Sequence, residues 1–110
     1  MNNPIFYINT LKQTNIPRYT FIGITCELLL SKELFKNNSD LTPFLKDTFD
    51  IEFLPYVMKS RTTIISRMVR IIYSYDKKQF NEYRKNLIKF LEKNLTSTKP
   101  NDKEGLSGWL

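Results

Sequence analysis

Apolar side chains recur at spacings of three and four residues through most of this chain, and four of its five prolines sit where such a run begins. That spacing is the period of one face of an α-helix, and proline is tolerated in a helix only in its first turn. Pro4 opens a first helix over Ile5, Phe6, Ile8 and Leu11. It ends before Asn15-Ile16-Pro17, because the residue ahead of a proline is pushed out of helical geometry. A second helix is expected from about Pro17 to Lys36, with Asn37-Asn38 as its stop. Phe21, Ile22, Ile24, Leu28, Leu29, Leu30, Leu34 and Phe35 fall nearly all round its axis, which makes it the central helix. Ser39 or Thr42 can cap a short third helix that carries Pro43 in its first turn and ends near Phe49.

A fourth helix is expected from Leu54 or Pro55 to Tyr73 or Ser74, and a fifth from Asp76, a candidate N-cap, to about Leu95. Thr62-Thr63-Ile64-Ile65 and Val69 to Ile72 are β-branched enough for strands, yet they lie in a stretch of about twenty residues without a turn signal. The fold class is therefore all-α, a small four- or five-helix bundle with a flexible C-terminal tail. At 110 residues there is room for one domain, residues 1–95. Residues 96–110 form the tail, polar through TSTKPNDKEG and apolar again in GLSGWL.

What stabilises such a domain is narrowed by two residue types. The single cysteine, Cys26, has no partner for an internal disulfide, and the absence of histidine removes the usual zinc ligands. It also removes the commonest general base, so neither a metal nor a cofactor is expected and the chain reads as non-enzymatic. Cys26 is expected to be a small core residue. Neither GxGxxG nor GxxxxGK[ST] occurs, so nucleotide binding through a Gly-rich loop has no support. No apolar stretch approaches the length of a membrane span, and Lys12 follows the first apolar residues instead of preceding them, the wrong order for a secretory signal. These features point to a cytoplasmic protein without a membrane partner.

The formal charge of +6 is unevenly placed. Residues 1–50 hold five basic and five acidic side chains, whereas residues 51–95 hold ten basic against four acidic. On the fourth helix, Lys59, Arg67 and Arg70 share a face with Thr63, Ser66 and Ser74, over a reach of about 16 Å. The fifth adds Lys77, Lys78, Lys85 and Lys89, with Arg84 and Lys93 on the same helix. A row of cations interleaved with hydroxyls is suited to a phosphate backbone, so nucleic acid or another polyanion is the expected partner of an accessory or regulatory factor. No base-reading motif accompanies it: a helix-turn-helix from the third and fourth helices would turn through DIEFLP, which lacks the glycine often found there. Tyr56, Tyr73, Tyr75 and Tyr83 can stack on bases, although a core or rim position suits most of them as well.

Two further features call for explanation. Arg61 falls in the middle of the fourth helix's apolar arc, and Glu27 lies in a comparable place on the second helix, so the two are expected to form a structural ion pair across these helices. Removing either partner of a buried pair would cost about 3–5 kcal/mol. Leu106, Trp109 and Leu110 at the end of the tail are a candidate partner-binding motif. They support the competing reading, a protein-interaction module (adaptor, inhibitor or small assembly subunit) or a homo-oligomer that uses an apolar face and the tail.

Overall fold

The computed structural model describes residues 4–96, and every regular element among them is helical. In chain order these are α1 (Pro4–Leu11), α2 (Arg18–Leu30), α3 (Leu41–Phe49), α4 (Pro55–Met58), α5 (Arg61–Tyr73) and α6 (Lys77–Leu91). A 3-10 turn at Asn38–Asp40 leads into α3, and a π-helical turn at Glu92–Thr96 continues α6. The result is a small all-α bundle.

Helix starts follow from local chemistry. Pro17 and Leu54 are extended, at ψ 151° and 154°, immediately before α2 and α4. Pro55 opens α4 as its first residue, where its missing N–H costs nothing. Asp76 caps α6 reciprocally with Gln79: its carboxylate accepts from the Gln79 N–H at 2.7 Å, and its own N–H donates to the Gln79 side chain at 3.1 Å. Such a cap is worth about 1 kcal/mol. Ahead of α3 the cap belongs to Asn37, paired in the same way with Asp40, and not to Ser39 or Thr42. α3 stops at Asp50, whose left-handed backbone (φ 55°) is a conformation aspartate tolerates, and its N–H bonds back to Lys46.

Two long helices expected from the sequence are interrupted, each at a serine. α2 ends at Leu30 and not at Lys36. Ser31 turns extended, its hydroxyl accepts the Leu34 N–H at 3.3 Å, and a separate turn carries Phe35 into the core. The helix expected over 55–74 is divided at Ser60 (φ −127°, ψ 119°), which becomes the N-cap of α5 by accepting from the Thr63 N–H. In both places a hydroxyl offers the backbone an alternative to the i, i−4 ladder.

α2 runs antiparallel to α5, the start of each meeting the end of the other through Arg18 and Arg61. α6 packs on α3 and α1. Between these two groups of helices lies a core of Tyr7, Leu11, Phe21, Leu28, Leu29, Leu45, Phe49, Ile64, Met68, Ile72, Leu87 and Leu91. Burying each such side chain contributes about 1.5–3 kcal/mol. Aromatic rings tie the layers together: Phe44 meets Phe90 edge-on at 4.6 Å and Phe35 at 5.0 Å, and Phe21 meets Phe80 edge-on at 5.2 Å. The buried Thr25 hydroxyl is satisfied inside its own helix, donating to the Phe21 carbonyl at 2.9 Å.

Candidate functional site

From Phe53 to Tyr75 the chain holds Lys59, Arg61, Arg67 and Arg70 and no acidic residue. The Ser60 cap fixes where α5 begins, and Ile64, Met68 and Ile72, four residues apart, fix which side of it faces the core. Arg67 and Arg70 are thereby turned outward. With Thr62, Thr63 and Ser66 they line one shallow depression of about 300 Å³. The Arg67 guanidinium lies over the ring of Tyr56 on α4, 5.9 Å from its centroid, a cation–π contact that joins the two helices. Neither Arg67 nor Arg70 meets a carboxylate among the described residues. Ser74, expected on the same face, instead turns its hydroxyl back to the Ile71 carbonyl at 2.7 Å.

The remaining expected cations are distributed elsewhere. Lys59 is exposed at the C-terminal end of α4, so the break at Ser60 separates it from the helix that carries Arg67 and Arg70. Lys77 shares a depression of about 210 Å³ with Ile16, Arg18 and Phe80. Lys89 shares another, of about 190 Å³, with Lys93, Asn86 and the acidic Asp47. Lys78 and Lys85 are exposed on α6. α5 packs on α2 while α6 packs on α3 and α1, so the fold gathers Arg67 and Arg70 with three hydroxyl residues and leaves Lys77, Lys78, Lys85 and Lys89 outside that depression.

Arg61 departs from its expected role. Instead of pairing with Glu27, which is exposed, it donates from Nε to the Asn38 side-chain oxygen at 2.8 Å, from Nη1 to the Leu29 carbonyl at 2.7 Å and from Nη2 to the Phe35 carbonyl at 2.8 Å. The early end of α2 leaves carbonyls without an intrahelical partner, and the rigid fork of a guanidinium can reach several at once. Arg18, which the sequence did not single out, does the same for α5: its Nη1 donates to the carbonyls of Ile72, Tyr73 and Tyr75 at 3.1, 2.8 and 2.6 Å, and it lies over Phe80. Arg84, counted among the fifth helix's cations, donates to the Leu11 carbonyl at the end of α1. A positive charge at a helix C-terminus also opposes the negative end of the helix dipole.

Cys26 is half-buried, and desolvation pushes its thiol above the ordinary range, which disfavours the nucleophilic thiolate. The Tyr75 hydroxyl is buried without a hydrogen-bond partner among the described residues, and burial first, then the nearby Tyr83 and Glu82, raise its pKa well above the usual phenol value. Among the described residues no group of three His, Cys, Asp or Glu side chains could hold a metal ion, and no helix is long and apolar enough to cross a membrane. Leu106, Trp109 and Leu110 lie outside the described residues. The chain matches no protein-family model, and no curated protein and no solved structure shows significant similarity to it.

Proposed function

We propose that this chain is a non-enzymatic accessory or regulatory factor whose α5 face binds a polyanion, nucleic acid foremost. One observation carries the reading: Arg67 and Arg70 line a depression with Thr62, Thr63 and Ser66, on a segment with no acidic side chain from Phe53 to Tyr75. Cations that meet no carboxylate among the described residues are available to phosphates, and hydroxyls beside them donate the shorter bonds that position a backbone. Binding by two arginines alone is weak, and its strength falls with salt as condensed counterions are released. Lys59, Lys77, Lys78, Lys85 and Lys89 then act as a diffuse field that draws a polyanion toward the site, rather than as contacts within it.

The test is a fluorescence-anisotropy titration against short DNA and RNA at low and near-physiological salt. Replacing Arg67 and Arg70 together by Glu is expected to abolish binding at physiological salt. Neutral replacements are expected to shrink the slope of log affinity against log salt by about two, one for each phosphate no longer neutralised. An unchanged slope sinks the assignment of this face.

A second reading, a protein-interaction module, draws support from Tyr19 and Leu30, large apolar residues exposed on α2. It expects partner capture that tolerates the Arg67 and Arg70 changes and is lost when residues 105–110, including Leu106, Trp109 and Leu110, are deleted.

A further inference from the structure

A basic depression by itself accepts a duplex, a single strand or an inorganic polyphosphate alike, because each offers the same phosphate charge. Two exposed rings outside its lining neighbour the two arginines that line it, one by contact and one by helical spacing. Tyr56 is 61% exposed, with the Arg67 guanidinium over its ring, and Tyr73 is 74% exposed, three residues beyond Arg70 along α5. Neither ring belongs to the buried core. The two tyrosines thus bracket the two arginines, and the stretch from Arg67 to Tyr73 covers about 9 Å of helix axis.

We propose that the ligand of this face is single-stranded nucleic acid, its phosphates on Arg67 and Arg70 and its bases stacked on Tyr56 and Tyr73. The inference rests on the α5 face being a polyanion site and names which polyanion. In a duplex the bases are stacked on one another and offer these rings no π-face, whereas an unpaired strand offers one at every base. With Tyr56 largely exposed, an arginine beside its ring can hold a phosphate while the ring holds the base. With Arg67 and Arg70 on phosphates, the rest of the lining is Thr62, Thr63 and Ser66, whose hydroxyls bond donors and acceptors of any base, so recognition here is tolerant of sequence.

The experiment compares three probes of equal length on the full chain by anisotropy: a labelled single strand without self-complementarity, the same sequence as a duplex, and an abasic strand that keeps the phosphates. DNA and RNA versions of the single strand are run in parallel. The single strand is expected to bind most tightly. Tyr56→Ala and Tyr73→Ala are each expected to weaken it about tenfold while leaving the abasic strand nearly unchanged, and Tyr56→Phe and Tyr73→Phe to retain binding. Both rings are exposed, and circular dichroism of each variant verifies the fold. If the three probes bind equally and only Arg67→Glu with Arg70→Glu abolishes binding, the stacking inference is wrong and the polyanion reading stands. If none of the probes binds at physiological salt, both fail.

Discussion

All five arginines of this chain carry the same guanidinium, yet two regions use it in opposite ways. Where helices end, Arg18, Arg61 and Arg84 point at backbone carbonyls and become part of the fold. Along the outer side of α5, Arg67 and Arg70 meet a ring, three hydroxyl residues and, among the described residues, no carboxylate. The difference lies in the supply of oxygens within reach: a helix C-terminus presents carbonyls that nothing else satisfies, and a mid-helix surface presents none. Net charge therefore overstates what is available to a partner. Three of the cations that make this chain basic are already engaged with its own backbone.

The contrast is sharpest for Arg61→Ala, which strips donors from the Leu29 and Phe35 carbonyls and from Asn38 together. It is expected to destabilise by about 3 kcal/mol, read as a lower urea midpoint, with Arg61→Lys recovering only part because one ammonium cannot span the three acceptors. A loss no larger than that of Arg70→Ala would erase the distinction. Arg18→Ala comes next, at about 2 kcal/mol, since it frees the end of α5 and removes the contact over Phe80.

Smaller, and of opposite sign, is the effect of Tyr75→Phe. The carbonyl of Tyr75 is served by Arg18 while its buried hydroxyl has no partner among the described residues, so the variant is expected to gain up to about 1 kcal/mol at neutral pH. The same residue predicts a pH response. Its folded-state pKa is raised above the ordinary 10.0, so its contribution is fully present below pH 10 and is lost as pH climbs past that value and the unfolded chain ionises. Urea midpoints measured across this range should fall for the parent and fall less for Tyr75→Phe. Least of all, Arg67→Glu with Arg70→Glu should shift stability by no more than about 0.5 kcal/mol while removing polyanion binding. A large loss of stability there would place those two arginines in the structural group.

The helical class, the prolines at helix starts, Asp76 as the N-cap of α6, and the inward faces of α5 and α6 are all legible because each depends on residues within a turn or two of one another. Ser31 and Ser60 are harder. Apolar spacing continues across both breaks, since Phe35 beyond the first and Val57 before the second still belong to the core. A hydroxyl that captures one amide leaves little trace in that spacing. The misplaced end of α2 then conceals the true partner of Arg61: with the helix carried on to Lys36, the carbonyl of Leu29 is an interior one, already bonded, and Glu27 is the remaining answer.

The candidate site divides along the same line. That Arg67 and Arg70 share a face follows from a spacing of three on one helix. That Lys77, Lys78, Lys85 and Lys89 do not join them follows from which neighbours α5 and α6 pack against, and no spacing along the chain encodes that. Tyr56 reaches Arg67 only because the chain turns at Ser60.

The reciprocal placement of Arg18 and Arg61 has a dynamic consequence. The first residue of α2 holds the last two carbonyls of α5, and the first residue of α5 holds the carbonyl of Leu29, in the last turn of α2. Terminal turns ordinarily fray one helix at a time, but here fraying the end of either helix also breaks the arginine contacts supplied by the start of the other. Amide hydrogens near both ends of the pair should therefore exchange with solvent through one shared opening, at a common free energy, as a single cooperative unit.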